Sequence, residues 1–390
     1  MRPVAKSAWV VLLLLSTAGC AAPMAGAVPD LEPGERPEAV SDEAGLWMAM
    51  DRVEDQLKTS GNVVTDPALN AYVRDLVCKL AGPYCGDLRT YIMRVPHFNA
   101  SMAPNGVMQV WTGLILRARN EAQLAYVLGH ELGHYLRRHS LKRWRDVRAK
   151  TDALVFLQIA ASAARYGYVG DLAQFIALAS IFAYSRDQER EADDLGFELM
   201  LEAGYDPHEA AKVWRALIEE REAADEPERL IFFSTHPSTG ERAETLESLA
   251  AEVTKDRGRG VAAEERYLAA TLPFRARFMR DELRLRQFAQ SQVVLDHLLD
   301  AGVNPGELHH FQGELYRLRA EEGDNDRAIE AYREAVRHEG APPETHRDLG
   351  LVYMRAGKRG EARLSLQRYL AALPGADDRA MVESYIEQLE

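Results

Sequence analysis

Residues 120–144 read NEAQLAYVLGHELGHYLRRHSLKRW, and the rest of the predicted fold is organised around this stretch. Asn120 can accept hydrogen bonds from the first free N–H groups of a helix, as an N-terminal cap. Leu124, Val127 and Leu128 then recur at the spacing of one helical face. The pattern therefore predicts a single long helix whose apolar side is buried.

The same helix carries two histidines four residues apart, His130 and His134, so both imidazole rings lie on one face and can share a metal ion. Glu131 lies beside them, where its carboxylate can act as general base on a metal-activated water. A surface helix with scattered histidines is the alternative interpretation. The apolar run before the motif disfavours it, because that run predicts a buried face and buried charged residues need partners.

A third histidine follows at His139, but its spacing does not suit a ligand. One family of zinc proteases takes its third ligand from the pattern His-Glu-x-x-His-x-x-Gly-x-x-His. This chain has Arg137 and Ser140 where that pattern needs Gly and His. On a continuous helix His139 also lies about 140° round from His134. We therefore expect His139 to be solvated or to contact a ligand, and not to bind the ion itself.

Because a catalytic zinc ion takes three protein ligands and one water, another segment must supply the third ligand. Residues 187–194 read DQEREADD and offer Glu189. Asp193 shares its helical face and can accept the free ring N–H of a zinc-bound histidine. Glu191, in contrast, lies about 200° away from Glu189 on the helix. An acidic helix surface without a metal is the alternative.

The remaining pattern is mostly helical, with a little strand. Residues 90–95 (TYIMRV) and 107–113 (VMQVWTG) have strand composition, and residues 99–106 (NASMAPNG) between them are rich in turn formers. The length of 390 residues predicts two or three domains. We expect a mainly α (α+β) fold, in which a zinc metallopeptidase domain with a small β-sheet over residues 42–260 is followed by an α-solenoid over residues 275–390.

The C-terminal part contains an internal repeat. Four positions recur at an offset of 34 residues (349 − 315): Leu315 and Leu349, Gly323 and Gly357, Ala328 and Ala362, Tyr332 and Leu366. This period and these residue types resemble the tetratricopeptide repeat, a pair of antiparallel helices. Such units bury their apolar faces only by stacking on each other, so about three are expected.

The N-terminal residues predict export and lipid attachment. Residues 1–19 place Arg2 and Lys6 before an apolar run too short to span a bilayer, which is typical of a signal peptide. The run ends in TAGC, which resembles a bacterial lipobox with cleavage before Cys20 and lipidation of that residue. An ordinary signal peptide cut a few residues later is the alternative. Residues 20–41 are rich in Pro, Gly, Ala and Glu and are expected to form a flexible tether.

Two further cysteines, Cys78 and Cys85, enclose a Gly-Pro pair that can turn the chain back. An exported protein meets oxidising conditions, so we expect a disulfide between them, with two buried free thiols as the alternative.

Two apolar stretches between residues 149 and 184 are too short to span a membrane. We expect two buried helices packed over the metal-binding helix, with contact to lipid or substrate as the alternative.

Three segments, NASMAPNGVMQVWTGLI, ELGH and EREAD, together resemble the CAAX-protease/HtpX family of zinc metallopeptidases. The resemblance is greatest to its periplasmic BepA-like branch, in which the protease domain is joined to tetratricopeptide repeats, and it covers about residues 42–250. It implies one zinc ion per chain, bound by His130, His134 and Glu189, with Glu131 as the catalytic residue.

The family also has His-Pro followed by Arg, which this chain matches in STHPSTGER with His236 and Arg242. The resemblance implies that His236 either stabilises the oxyanion or occupies the open position of the zinc ion as a latch, while Arg242 lies behind the ligands. A helix-capping or core histidine is the alternative. The strand VMQVW resembles the substrate strand of the family, so an extended peptide is expected to add to its edge through main-chain hydrogen bonds.

These expectations favour a zinc endopeptidase of the periplasm that cleaves misfolded or stalled outer-membrane proteins. The second hypothesis is a chaperone or assembly factor that acts through its repeats, with a latched or idle zinc site; the intact Glu131 favours the first. The resemblance implies that the repeats bind the outer-membrane assembly machinery. Membrane contact is expected through the lipid anchor only, and the net charge of −13 argues against nucleic acid as a partner.

Overall fold

The computed structural model describes residues 28–150, 184–224, 232, 236 and 240–390, with side chains to residue 146 in the first range. Within these residues the protein is mainly α-helical, with fifteen α-helices and a three-stranded sheet, as the sequence predicts. None of the helices described is long and apolar enough to cross a membrane. The expected signal peptide, the lipidation site Cys20 and most of the two apolar stretches before residue 184 lie outside the described residues.

The helices are numbered here in chain order with the following bounds: α1 Asp42–Thr59, α2 Pro67–Ala81, α3 Thr112–Arg117, α4 Glu121–Leu136, α5 His139–Lys150, α6 Arg186–Glu202, α7 His208–Ala223, α8 Gly240–Arg257, α9 Glu264–Arg284, α10 Phe288–Asp300, α11 Pro305–Arg319, α12 Asp324–Ala335, α13 Glu344–Arg355, α14 Arg359–Ala372 and α15 Arg379–Gln388. A short 3-10 helix, Gly82–Asp87, follows α2. The structure joins Cys78 of α2 to Cys85 of this 3-10 helix by a disulfide, which is the pairing that the sequence predicts.

The sheet has the strand order β1–β3–β2. β1 (Arg89–Met93) runs parallel to the central strand β3 (Val107–Trp111), and β2 (Ala100–Met102) pairs antiparallel with the other side of β3. Two sequence predictions are therefore wrong. The turn-rich segment 99–106 contains a strand, and VMQVW is the central strand, so both of its edges are already paired. The edge strands of the described sheet are β1 and β2, and β2 is the one that packs against α4.

The long helix that the sequence predicts is in fact two helices. α4 ends at Leu136 and α5 begins at His139, with Arg138 between them in the left-handed backbone conformation (φ 52°). A residue other than glycine rarely adopts this conformation, so surrounding contacts must stabilise it. Here the guanidinium of Arg138 forms ion pairs with Glu35 and Glu43. The prediction of a continuous helix is wrong at this point, because tertiary ion pairs override the local pattern.

Residues 28–41, the N-terminal strap, lie against the break between α4 and α5. The backbone N–H of Leu31 donates to the carbonyl of Leu136 (2.9 Å), and the Leu31 side chain is buried in the main core. The hydroxyl of Tyr84 donates to the carbonyl of Leu31 (2.9 Å). The backbone N–H, the carbonyl and the side chain of Leu31 all make contacts with the rest of the protein. This part of the expected flexible tether is therefore packed against the fold.

The C-terminal helices continue the same core. The expected domain boundary between residues 260 and 275 falls within α9, and one apolar cluster extends from the sheet through α9, α10 and α11. Glu282 of α9 is completely buried and pairs with Arg117 of α3 (3.0 Å), while Asp281 pairs with Arg94 (2.7 Å). Beyond this point, the described helices α12 to α15 form two apolar clusters of their own. The 34-residue offset relates the hairpin α11–α12 to the hairpin α13–α14.

Candidate metal centre

The site forms where α4 and α6 approach each other closely, because small residues lie at the contact. A Cβ atom added to Gly196 of α6 would lie 2.6 Å from the backbone N of His130, and a Cβ added to Gly133 of α4 would lie 2.9 Å from the Cα of Ala192. Ordinary contacts of a Cβ begin at 3.4 Å, so larger residues would separate the helices. This approach brings the two histidines of α4 to the carboxylate of Glu189 on α6.

Three of the predicted ligands meet with the geometry of a zinc site. The Nε2 atoms of His130 and His134 are 3.1 Å apart, and each lies 3.5 Å from an oxygen of Glu189. All three side chains are about 1% exposed or less. A tetrahedral zinc ion with bonds of about 2.0–2.2 Å places its ligand atoms about 3.3–3.6 Å apart. The two imidazole nitrogens and the carboxylate therefore fit a zinc ion both in chemistry and in spacing.

His236 completes a buried group of four possible ligands. Its ligand atom and those of His130, His134 and Glu189 all lie within 4.8 Å of one another. The Nδ1 of His236 is 3.1 Å from Oε1 of Glu189 and 3.4 Å from Nε2 of His130, and its ring stacks on Phe232 (4.7 Å). Burial alone would lower the pKa of His236, but the carboxylates of Glu189 and Glu131 outweigh burial and raise it. The ring thus lies where a fourth ligand would.

Glu131 lies beside the ligands with its carboxylate buried. Its Oε1 is 3.6 Å from Nε2 of His236 and forms no hydrogen bond within the described part of the chain. A buried oxygen without a partner is unfavourable by about 1–3 kcal/mol, which a water held among the ligands would relieve. Burial raises the pKa of Glu131, against the opposing effect of His236 and His130. A carboxylate with a raised pKa suits a general base.

His130 is oriented by a network behind it. Its Nδ1 is 3.0 Å from Oδ1 of Asp193, which also accepts hydrogen bonds from Tyr126 (2.7 Å) and Arg242 (2.6 Å). Arg242 in addition pairs with Glu189 (2.7 Å) and lies over the ring of Trp214 (4.1 Å). Burial opposes ionisation of Asp193, but hydrogen bonds from His130 and Arg242 outweigh it and lower its pKa. The structure thus places Asp193 and Arg242 against the ligands, as the sequence predicts.

His134 is held by residues that the sequence did not assign. Its Nδ1 is 2.9 Å from Nδ1 of His139, and its ring stacks on Tyr184 (3.7 Å). His139 is completely buried, so the expectation that it is solvated is wrong and the expectation that it contacts a ligand is right. Burial lowers the pKa of His134 well below its usual value, and the neighbouring His130 and His236 add to the effect. A neutral imidazole is the form that binds a metal.

Tyr184 carries no recognisable signal of its own in the sequence. It directly precedes Ser185, whose side chain caps α6 by accepting a hydrogen bond from the backbone N–H of Gln188 (3.3 Å). Its hydroxyl lies 3.1 Å from Oγ of Ser140, which ties it to the start of α5. The capping box at Ser185 marks the beginning of α6, but nothing local indicates that the preceding tyrosine stacks on a histidine of another helix.

The site combines a buried pair of histidines from one helix, a glutamate from a second helix and an adjacent buried carboxylate. This combination defines a metallopeptidase site. Comparison with known proteins agrees. Residues 62–250 match peptidase family M48, and this match includes the helices that carry His130, His134 and Glu189. Over this region, slightly less than half of the 390 residues, the chain is therefore similar to the peptidases of family M48.

Several curated proteins are similar to part of this chain. The mitochondrial metalloendopeptidase OMA1 of Schizosaccharomyces pombe is 34% identical over 40% of this chain and 45% of its own length. A putative beta-barrel assembly-enhancing protease of Vibrio cholerae is 26% identical over 57% of this chain and 49% of its own length. The metalloprotease YcaL of Escherichia coli is 32% identical over 38% and 56%, respectively. The chain thus spans about half the length of the curated relatives that it matches.

Proposed function

We propose that this protein is a zinc-dependent endopeptidase of the bacterial periplasm, bound to the outer membrane by a lipid on Cys20, that cleaves misfolded or stalled outer-membrane proteins. The observation that carries the proposal is the convergence of His130, His134 and Glu189, with Glu131 beside them, in one buried site. The match to peptidase family M48 supports the same chemistry.

Each side chain of the site has a separate role in the proposed hydrolysis of a peptide bond. A zinc ion held by His130, His134 and Glu189 would polarise the scissile carbonyl and lower the pKa of water. Glu131 takes the proton of the attacking water and passes it to the leaving amine, for which its raised pKa is suited. Asp193 holds Nδ1 of His130, so the ring keeps Nε2 towards the ion.

The substrate strand is reassigned from β3 to β2. β2 (Ala100–Met102) is an edge strand of the described sheet and packs against α4, which carries the site. Met102 and His134 line the same small cleft. An extended peptide can add to the edge of β2 that pairs with no strand among the described residues, through main-chain hydrogen bonds that read little sequence. This mode suits a protease of unfolded segments, because folded substrates rarely offer a free extended strand.

His236 is assigned the role of a latch. Its Nδ1 contacts both Glu189 and His130, and its Nε2 is 3.6 Å from Glu131, so the ring fills the space that water and substrate need. A residue that only stabilised the oxyanion would not need to contact the ligands themselves. The site then works only after the ring withdraws, which keeps a protease of unfolded chains inactive until it is needed.

Features outside the site support the proposed location and partners. The disulfide Cys78–Cys85 supports an oxidising compartment such as the periplasm, and the TAGC sequence supports lipidation at Cys20. The relative of Vibrio cholerae is named as a protease that enhances β-barrel assembly, which supports outer-membrane proteins as substrates. The hairpins α11–α12 and α13–α14 are proposed to bind the outer-membrane assembly machinery.

A chaperone or assembly factor with an idle zinc site is the second candidate. The observation that favours it is again His236, whose contacts with Glu189 and Glu131 close the site. An assay of unfolded substrate separates the two. We expect the protein to cleave a urea-unfolded outer-membrane β-barrel protein after dilution, and to leave the same protein untouched once it is folded in detergent. Suppression of aggregation without cleavage would support the second candidate and contradict the first.

A further inference from the structure

We propose that His139 is a positioning residue of the zinc site, which holds His134 in the tautomer that leaves Nε2 free for the ion. This inference rests on the zinc endopeptidase proposed above. It assigns a role to the third histidine of the sequence HELGHYLRRH, which the ligand set does not use.

With both imidazoles neutral, the contacts allow a single consistent placement of protons. Nδ1 of His139 lies 2.9 Å from Nδ1 of His134, and Nε2 of His139 lies 3.0 Å from Oε2 of Glu191. A carboxylate accepts and does not donate, so Nε2 of His139 carries a proton. Nδ1 of His139 is then unprotonated and accepts the N–H at Nδ1 of His134. His134 therefore presents an unprotonated Nε2, 3.1 Å from Nε2 of His130.

The two zinc histidines are thus supported in different ways. Asp193 contacts Nδ1 of His130 directly at 3.0 Å, which is the common arrangement of carboxylate, histidine and metal. For His134 a second imidazole stands between the ring and the carboxylate of Glu191. The side chain of Glu191 is 52% exposed, whereas that of His139 is completely buried. His139 therefore links a surface carboxylate to a buried ligand through two consecutive hydrogen bonds.

The helix break is what delivers His139 to this position. On a continuous helix His139 would point about 140° away from His134. The left-handed conformation of Arg138 (φ 52°) redirects the chain so that His139 begins α5 beside His134 instead. Glu35 and Glu43 hold the guanidinium of Arg138, and the carbonyl of Leu136 is bonded to the N-terminal strap. The unusual backbone conformation of Arg138 is stabilised by two ion pairs. We interpret it as serving to place the next residue, His139, beside His134.

The test compares zinc affinity among variants of His139 in a Glu131→Gln parent, which prevents self-digestion. Zinc binding to the full-length folded protein is measured by competition with a chromophoric chelator. His139→Ala should weaken zinc binding by about 10- to 100-fold, as expected for loss of a partner of a metal ligand. His139→Asn should restore most of the affinity, because its Oδ1 occupies the place of Nδ1 and accepts the same N–H. His139→Gln should not, because its amide reaches the place of Nε2.

A matched control is His310→Ala, which removes another buried histidine, in α11, whose Nδ1 contacts the hydroxyl of Thr345 in α13. It should leave the zinc affinity unchanged. Equal zinc affinity in His139→Ala and the parent would overturn the inference, as would equally weak binding by the Asn and Gln variants. If His139→Ala does not fold, the Asn and Gln pair decides the matter. A parent that binds no zinc at all would overturn the proposed function together with this inference.

Discussion

Replacement of Gly196 by alanine adds a methyl group where α6 meets α4, and we expect this change to weaken the zinc site. The new Cβ would lie 2.6 Å from the backbone N of His130 and 2.9 Å from its Cα. Since ordinary contacts begin at 3.4 Å, the two helices must separate by roughly 0.8 Å (3.4 − 2.6). Overpacking of this kind is unfavourable by about 1–3 kcal/mol, and the higher helix propensity of alanine offsets about 1 kcal/mol of it.

The expected loss of stability is therefore modest, up to about 2 kcal/mol. The loss of zinc affinity is larger. Metal–ligand distances tolerate a deviation of only about 0.2 Å, and separation of the helices moves Glu189 away from both histidines. Urea unfolding of the metal-free protein measures the loss of stability. Competition with a chelator measures the loss of zinc affinity.

The matched control is Gly45→Ala in α1, where an added Cβ meets nothing within 4 Å. This variant should gain up to about 1 kcal/mol of stability from helix propensity alone and should keep its zinc affinity. If Gly196→Ala proved as stable as Gly45→Ala and bound zinc equally well, the close approach of α4 and α6 would not be what assembles the site.

Three further predictions concern the ligands, the latch and the C-terminal helices. Glu189→Ala should lose both zinc and proteolysis, whereas Glu191→Ala should retain zinc, as shown by metal analysis of the purified proteins. His236→Ala should raise the rate of cleavage of an unfolded substrate, because the fourth position opens. Truncation after residue 274 should unfold the protein, since it removes the buried carboxylates that pair with Arg94 and Arg117. Truncation after residue 339 should leave zinc content and cleavage intact.

Each of these has a result that would count against it. Loss of zinc from Glu191→Ala together with full zinc content in Glu189→Ala would mean that the ligand lies on the other face of α6. A fall in activity of about ten- to a thousandfold in His236→Ala would assign this residue to oxyanion stabilisation instead. A stable, zinc-loaded fragment ending at residue 274 would show that α9 is dispensable for the catalytic fold, contrary to the continuous core.

Where interactions are local, the sequence predicted the site well. The spacing of His130 and His134 places both rings on one face of any helix that forms, and the same rule selects Glu189 over Glu191 on α6. Burial of that face follows from the apolar residues around the motif. Which side chains share a helical face does not depend on how the helices pack. The structure accordingly places all three side chains together.

The errors arose where distant residues decide the conformation. Arg138 breaks the predicted long helix because Glu35 and Glu43, about a hundred residues earlier, hold its guanidinium. The break moves His139, so its contact with His134 could not be derived from helix geometry. β2 has only three residues in a turn-rich segment, whose composition does not favour a strand. Its extended conformation is stabilised by pairing with β3. The buried pair of Arg117 and Glu282 is a contact of the same long-range kind, between residues 165 positions apart.

The most direct test of the central claim is a single comparison of the wild-type protein with Glu131→Gln. Both are purified in parallel, their zinc is quantified, and both are incubated with the same unfolded outer-membrane protein. We expect about one zinc ion per chain in each, with cleavage by the wild type and none by the variant, because the ligands remain while the general base is lost. Equal cleavage by both proteins, or a wild type that cleaves without zinc, would contradict the central claim.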